Sequence, residues 1–256
     1  MKNIMQNDHL DGAPFQLIGN RDICIVLVHG FTATPVEVRP LAEFVHQHGY
    51  GIIAPLLPGH NTTPEDLNNQ KWTDWVREVE QSIDQAKKFY SKVFIGGESM
   101  GALICTHIAA KDPELSGVIL YAPAFRVKNL WASFALRFIK PFLKKANAGV
   151  DDDSPALPGT HPWKGYRVNP TKAAYQMFLL QRITNKMVGC IKQPILILQG
   201  TKDTTVDISA IERLYQTISS KTKDLLWYQN SGHCIILDQE YESVFIDSLH
   251  FLEHNS

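Results

Sequence analysis

A serine stands at the centre of a glycine-flanked pattern near the middle of the chain. Residues 97–101 read Gly-Glu-Ser-Met-Gly, a match to G-x-S-x-G with Ser99 as the central residue. This spacing is typical of a sharp strand-to-helix turn, because glycines two positions before and after the serine remove side chains that would clash. A hydroxyl on such a turn stands clear of the sheet, so we predict that Ser99 is a nucleophile.

The residues around this pattern decide between a nucleophile turn and an ordinary glycine-rich turn. The apolar run Val-Phe-Ile-Gly precedes it and Met-Gly-Ala-Leu-Ile-Cys follows it, which predicts strand, turn and helix in the required order. The start of that helix would also supply backbone N–H groups and a positive dipole end behind Ser99. This context favours the nucleophile.

A serine nucleophile needs a base, and the base needs a carboxylate that orients it. Asp203 follows the apolar run 194–198 and would lie at the C-terminal edge of a parallel sheet, where such sheets hold functional groups. Asp207 is the competing carboxylate, but its position is typical of a helix cap. His233 follows the last predicted strand and is the predicted base, the alternative being a surface loop histidine. The resulting order is Ser99, Asp203, His233.

The segment His29-Gly30-Phe31 follows the strongly apolar run Ile23–Val28. The backbone N–H groups of Phe31 and of Met100, the residue after the serine, are predicted to bind the oxyanion of a tetrahedral intermediate. Gly30, Phe31 and Met100 are accordingly predicted to contact substrate. His29 is interpreted as a structural histidine that hydrogen-bonds the loop. Chemistry of this kind needs no metal ion and no organic cofactor.

Short apolar runs alternate with helical patterns along the chain, which predicts a mostly parallel central sheet with helices on both faces. Strands are expected at residues 23–28, 51–54, 92–95, 118–122, 194–198 and 224–228. We expect Gly96-Gly97 to break the third strand, and 55–70 to be a loop. Helices are expected from Thr34, as cap, to about 49, and at about 72–90, 100–110, 207–219 and 239–253.

The stretch from Phe125 to Cys190 does not fit this alternation and is too long for a simple connection. It carries helical patterns at 130–143 and 171–187, so we interpret about 125–190 as a helical cap inserted into a single domain, residues 1–256. The first of these patterns is rich in Trp, Phe and Leu. It either packs over the pocket or exposes an apolar surface to lipid or micelles, helped by Arg137, Lys140, Lys144 and Lys145. We expect the cap to form an apolar tunnel for a medium acyl chain.

Composition excludes several classes of protein. The formal net charge is −1, so no broad attraction to nucleic acid or an anionic membrane is expected. None of the four cysteines forms a CxxC pair, and Cys24 and Cys105 lie in apolar runs, which favours a reducing compartment. Residues 1–15 do not resemble a signal peptide, and no apolar run is long enough to span a membrane. A cytoplasmic location is expected.

Several segments together resemble the bacterial monoacylglycerol lipases and their close carboxylesterase relatives. They are VLVHGFTATPVEVRPLAEFVHQHGY, APLLPGH, GGESMGA, ILILQGTKD and NSGHCIILD. The resemblance runs from about residue 23 onward and is weakest over 125–163. It implies an α/β-hydrolase fold, with Ser99, Asp203, His233, Phe31 and Met100 at the family's functional positions. The chain departs from the usual sequence of this family at Ala102 and Asn61, and both residues lie outside the triad.

The implied function is a serine carboxylic-ester hydrolase that works through an acyl-enzyme on monoacylglycerols or other short- to medium-chain esters. The expected partner is a small-molecule ester. A serine argues against dehalogenases and epoxide hydrolases of this fold, which need an aspartate nucleophile. Thioesterases, cinnamoyl-type esterases and amidases keep the same triad and stay open. A ligand-binding protein on a hydrolase scaffold is the alternative outside enzymes.

Overall fold

The computed structural model describes residues 4–145 and 159–256. The strands are β1 Met5–Gln6, β2 Phe15–Leu17, β3 Ile23–Val28, β4 Gly51–Ala54, β5 Lys92–Glu98, β6 Gly117–Tyr121, β7 Phe142–Lys144, β8 Gly165–Tyr166, β9 Val168–Pro170, β10 Ile195–Gly200 and β11 Lys223–Tyr228. The α-helices are α1 Arg39–Gln47, α2 Pro64–Asn69, α3 Trp72–Lys87, α4 Met100–Ala109, α5 Ser133–Leu136, α6 Thr171–Asn185, α7 Ile208–Thr217 and α8 Tyr241–His254.

A seven-stranded sheet in the order β11-β10-β6-β5-β3-β4-β2 forms the centre of the described chain. Every neighbouring pair in it is parallel except β2 and β4, which are antiparallel. The predicted mostly parallel sheet is therefore confirmed, and the N-terminal edge strand β2 is an addition that the sequence patterns did not predict.

Helices cover both faces of the sheet. Side chains alternate between the two faces along each strand. In β3, Cys24, Val26 and Val28 pack with residues of α3, α4 and α6. Ile25 and Leu27 point the other way and pack with residues of α1 and α8. Such double burial explains why β3 reads as a continuous apolar run.

One local prediction near the site was wrong, and a second holds only in part. Gly96 and Gly97 do not break the strand, since they remain paired with β3 and β6 and β5 continues to Glu98. Thr34 is the N-cap residue of a 3-10 turn at Pro35–Glu37, as predicted, but its side chain makes no capping hydrogen bond and α1 begins only at Arg39. The Thr34 hydroxyl instead donates a hydrogen bond to the Lys164 carbonyl at 3.3 Å.

The predicted helix over 130–143 is much shorter in the structure. A 3-10 turn at Leu130–Ala132 leads into α5, which ends at Leu136, and Phe142–Lys144 forms a strand. Pro141 explains the change, because it disfavours helical geometry in the residue before it. The strand β7 then pairs with β9 in antiparallel register.

The other cap helix and its surroundings are closer to expectation. Helix α6 lies within the predicted 171–187 and packs against α4 and α5. The predicted loop at 55–70 contains α2, whose cap, Thr63, accepts a hydrogen bond from the Asp66 amide at 3.1 Å. The assignment of 1–256 to one domain, with an insertion at about 125–190, stays a prediction. Within residues 4–145 and 159–256, no helix has the length and apolar character needed to cross a bilayer.

Candidate active site

Ser99 occupies the sharp turn between β5 and α4. Its backbone has φ 53° and ψ −108°, a conformation that costs on the order of 1–3 kcal/mol for a residue with a side chain. The Ser99 amide donates to the Tyr121 carbonyl at 2.9 Å, and the Ser99 carbonyl accepts from the Ala124 amide at 3.2 Å. These bonds to the neighbouring strand and its following loop hold the turn in place.

Close packing behind the serine explains the glycine two residues later. A Cβ added to Gly101 would lie 2.2 Å from the Val28 carbonyl oxygen, so only glycine fits there. A Cβ added to Gly30 would lie 3.4 Å from the Ser99 Cβ. The end of β3 and the loop after it therefore lie directly against the serine turn.

The three side chains named as a triad meet at the C-terminal edge of the sheet. His233 Nε2 lies 2.8 Å from Ser99 Oγ, and His233 Nδ1 lies 2.7 Å from Asp203 Oδ2. Since Nδ1–H donates to the carboxylate, Nε2 is left as the acceptor for the serine hydroxyl. Ser99 is 8% exposed and the His233 side chain 19%, whereas the Asp203 side chain is fully buried.

Asp203 is held by donors on both of its oxygens. Oδ1 accepts from the amides of Thr205 at 2.7 Å and Val206 at 2.9 Å, and Oδ2 accepts from Gln199 Nε2 at 2.9 Å as well as from His233. Burial raises the pKa of Asp203, but the hydrogen bonds and the charge of His233 outweigh it and lower the pKa overall. The carboxylate is thus kept ionised as an orienting group for the histidine.

Asp207, the competing carboxylate, lies elsewhere. It is the cap of α7 and accepts a hydrogen bond from the Ser209 amide at 3.1 Å. Its other carboxylate oxygen faces Arg126 at 3.4 Å. The structure therefore brings Asp203, and not Asp207, to His233.

The segment 29–34 forms the loop that faces the serine turn, and we call it the oxyanion loop. The Phe31 amide donates no hydrogen bond within the described chain. The amide of Met100 opens α4, where an N–H has no partner inside its helix. Both donors are therefore available to a ligand, and their assignment to the oxyanion, with Gly30, Phe31 and Met100 as substrate contacts, stays a prediction.

His29 serves as an internal brace of this loop. Its Nδ1–H donates to the Gly30 carbonyl at 2.9 Å, and its Nε2 accepts from the Leu57 amide at 3.1 Å. Complete burial lowers the pKa of His29 to about 4. The ring is neutral near neutral pH and both nitrogens are used, which agrees with the structural interpretation of this histidine.

A buried carboxylate beneath the loop was missed by the sequence patterns. Glu37 is 3% exposed; its Oε2 accepts from the Gly30 amide at 2.6 Å and its Oε1 accepts from Trp163 Nε1 at 2.9 Å. An acidic residue between Val36 and Val38 was the available signal, but neither its burial nor its distant partner could be predicted from the sequence. Gln199 was missed for the same reason.

A second buried acid, Glu98, directly precedes the serine. Burial raises its pKa well above the usual range, and the nearby carboxyls of Glu37 and Asp203 raise it further. The neutral form of Glu98 is therefore favoured, which limits the negative charge around the site. Across residues 4–145 and 159–256, no three His, Cys, Asp or Glu side chains are grouped so that they could hold a metal ion.

A serine, an aspartate and a histidine in this chain order, on the loops at the C-terminal edge of a mostly parallel sheet, define an α/β-hydrolase. More specifically, the chain belongs to the Hydrolase_4 family, described as serine aminopeptidase S33, which it matches over residues 19–240. It is a serine hydrolase whose relatives are esterases and lipases.

Two of these relatives come from Bacillus. The thermostable monoacylglycerol lipase of Bacillus sp. (strain H-257) is 29% identical over 94% of this chain and 95% of its own length. The carboxylesterase of Bacillus subtilis is 26% identical over 94% of this chain and 96% of its own length.

Solved structures show the same fold. A metagenome-derived lipolytic enzyme, from a study of LipS and LipT, superposes with a TM-score of 0.86 at 27% identity, covering 95% of this chain and 98% of that one. The monoacylglycerol lipase of Paleococcus ferrophilus superposes with a TM-score of 0.76 at 20% identity, over 95% of this chain and 99% of that one.

Proposed function

We propose that the chain hydrolyses carboxylic esters through an acyl-enzyme on Ser99, with monoacylglycerols or other short- to medium-chain esters as substrates. The observation that carries this proposal is the continuous hydrogen-bonded path from Ser99 Oγ through His233 to Asp203, at 2.8 Å and 2.7 Å. Such a path lets a weakly acidic hydroxyl lose its proton as it attacks.

The proposed reaction has two similar halves. Ser99 Oγ attacks the ester carbonyl while His233 Nε2 takes its proton, and Asp203 stabilises the imidazolium that forms. The Phe31 and Met100 amides bind the oxyanion, and His233 then protonates the leaving alcohol. Water, activated by the same histidine, attacks the acyl-enzyme and releases the acid, and Ser99 regains its proton.

The substrate class comes from the relatives rather than from the triad, which fits any acyl group. The Bacillus sp. relative is a monoacylglycerol lipase and the Bacillus subtilis relative a carboxylesterase, and each covers nearly the whole chain. We therefore propose esters with one acyl chain, which the predicted apolar tunnel under the cap would hold.

We further propose that the cap meets lipid or micelle surfaces transiently. The segment 130–140 exposes four large apolar side chains, with 56–77% of each accessible: Trp131, Phe134, Phe138 and Ile139. The guanidinium of Arg137 lies 4.3 Å from the ring centres of both Phe134 and Phe138. Aromatic side chains beside cations are typical of surfaces that enter the headgroup region of a bilayer.

The experiment that tests the function combines active-site labelling with a substrate panel. The panel contains p-nitrophenyl esters of rising chain length, 1-monoacylglycerols, triacylglycerols, an acyl thioester, a feruloyl ester and an amino-acid p-nitroanilide. We expect a fluorophosphonate probe to label Ser99 and turnover to peak on medium-chain esters and monoacylglycerols, with Ser99→Ala inactive in both assays.

The other outcomes are equally informative. A steep fall in rate for acyl chains longer than acetate would contradict the prediction of an apolar tunnel. Preference for the thioester, the feruloyl ester or the anilide would replace the substrate class while keeping the mechanism. If Ser99 stays unlabelled while Ser99→Ala still binds acyl ligands, the chain is a binding protein on a hydrolase scaffold.

A further inference from the structure

The oxyanion loop is hydrogen-bonded to a short stretch of the cap that lies before α6. The Tyr166 amide donates to the Thr32 carbonyl at 2.9 Å, and Gly165 forms an antiparallel bridge with Ala33. We call residues 163–166 the cap-return segment. Its backbone is therefore paired with the loop at two adjacent residues, Thr32 and Ala33.

The cap-return segment is itself firmly held. Lys164 is 4% exposed, and its ammonium donates to the carbonyls of Asp8 at 2.9 Å and Leu10 at 2.7 Å. The Tyr166 hydroxyl donates to the Gly59 carbonyl at 2.8 Å. The segment is therefore a fixed edge against which the loop is placed.

Glu37 joins this segment to the loop from the inside. One carboxyl oxygen accepts from Trp163 Nε1 and the other from the Gly30 amide, so a single side chain spans the cap-return segment and the residue before Phe31. Gly30 directly precedes Phe31, so fixing the Gly30 N–H holds the backbone one peptide unit before the Phe31 N–H, one of the two proposed oxyanion donors. A carboxylate suits this task because both of its oxygens accept hydrogen bonds.

We propose that Glu37 is a positioning residue that aims the Phe31 amide at the oxyanion and makes this aim depend on Trp163 of the cap-return segment. This inference rests on the proposed function, since it concerns the same oxyanion. Glu37 acts only through Gly30 and never touches substrate. The effect of Glu37 on the rate arises when the tetrahedral intermediate forms, because the Phe31 N–H then binds the negative charge that develops on the carbonyl oxygen.

The test is a double-mutant cycle with Glu37→Gln and Trp163→Phe. Glutamine keeps the shape but turns an N–H towards one of the two donors, so it loses one of the two bonds. Phenylalanine keeps the aromatic body and removes the indole N–H. We expect each single variant to lower kcat on p-nitrophenyl butyrate by about tenfold with KM little changed, as loss of a transition-state contact requires.

The double variant decides whether the two residues act as one unit. If Trp163 works through Glu37, the double variant falls no further than Glu37→Gln alone. Affinity for an alkyl trifluoromethyl ketone, which forms a tetrahedral adduct with serine, should fall in proportion to kcat/KM. Additive losses, or losses confined to KM, would overturn the proposal.

A matched control distinguishes orientation of the Phe31 amide from general destabilisation of the fold. Tyr166→Phe removes the hydrogen bond from the Tyr166 hydroxyl to the Gly59 carbonyl, which anchors the same segment without reaching Gly30. We expect this variant to match Glu37→Gln in loss of thermal stability and to keep kcat within about twofold. Equal losses of kcat in both variants would show that Glu37 merely stabilises the fold.

Failure of the proposed function can be distinguished from failure of the proposal for Glu37. If the unaltered protein turns over no ester, the function is wrong, and the rate of fluorophosphonate labelling at Ser99 replaces kcat as the readout. Labelling also places an oxygen in the oxyanion site, so the same cycle still tests Glu37. If labelling is unaffected by either substitution, Glu37 is not a positioning residue.

Discussion

Gln199 donates its Nε2–H to Asp203 Oδ2 at 2.9 Å, the same oxygen that accepts from His233. Gln199 is fully buried at the end of β10 and also donates to the Gly200 carbonyl at 3.1 Å. The carboxylate that orients the histidine is therefore itself oriented by the strand that carries it.

Gln199→Met tests this support while keeping the length of the side chain. Asp203 keeps its two amide donors, so we expect a loss of about 1 kcal/mol, or about fivefold in kcat, with KM unchanged. Steady-state kinetics on p-nitrophenyl butyrate measures it. An unchanged kcat would mean that the backbone amides alone fix Asp203.

Asp203 and Asp207 give opposite phenotypes if the assignment is correct. We expect Asp203→Asn to lower kcat by about 10³- to 10⁴-fold, because an amide no longer holds His233 in the reactive tautomer. Asp207→Ala should cost about 1 kcal/mol of unfolding free energy through loss of a helix cap and leave kcat nearly unchanged. Steady-state kinetics and urea unfolding of both variants test the assignment. A large loss of kcat in Asp207→Ala would contradict the choice of Asp203 as the carboxylate that orients His233.

His107 should make the fold sensitive to acid. Its ring is 1% exposed, neither nitrogen has a hydrogen-bond partner in the described chain, and burial, aided by Lys111, lowers its pKa to about 4. The unfolded chain binds a proton near pH 6.5, so stability is lost as the pH falls from about 6.5 to about 4.

His107→Phe removes this titration without breaking a hydrogen bond. Between about pH 7 and pH 5 we expect the variant to lose about 1–2 kcal/mol less unfolding free energy than the unaltered protein. Urea unfolding at the two pH values measures the difference, with His9→Asn, at an exposed histidine, as the control. Equal acid sensitivity in His107→Phe and the unaltered protein would contradict it.

The four cysteines should differ sharply in reactivity. Cys190 is exposed, Cys234 is partly exposed, and Cys24 and Cys105 are buried. Burial raises the pKa of Cys24 to about 12 and that of Cys105 further, and it raises the pKa of Cys234 as well, which suppresses the reactive thiolates. We expect a disulfide reagent to modify Cys190 rapidly and Cys190→Ser to abolish that phase. Rapid reaction of Cys24 or Cys105 in the folded protein would contradict the buried placement.

The proposed contact of the cap with lipid can be measured apart from catalysis. We expect a variant with both Phe138→Ser and Ile139→Ser to bind phosphatidylglycerol vesicles at least about tenfold more weakly, because two large apolar side chains no longer insert. Hydrolysis of soluble p-nitrophenyl acetate should be unchanged. Phe89→Ser is the matched control, since Phe89 is equally exposed, at 74%, but lies outside the cap. Equal binding by both variants would exclude the cap as the contact surface.

The sequence predicted the parts of the site that local rules determine. Tight packing behind the serine demands Gly101, and the ends of parallel strands meet at one edge, so Ser99, Asp203 and His233 could be named in order. The bond between Glu37 and Trp163 joins residues 126 positions apart and leaves no periodic trace. Strand β7 was missed because it is formed by its partner β9 rather than by any pattern of its own.

The cap-return segment marks where chimeric enzymes can be joined. A foreign sequence grafted between Phe125 and Trp163, in place of the part of the cap before α6, would keep the indole that reaches Glu37, whereas a graft extending past Tyr166 would remove it together with the backbone that borders the loop. The part of the cap that precedes Trp163 can thus be exchanged while Ser99, Asp203 and His233 and the loop beside them stay unchanged.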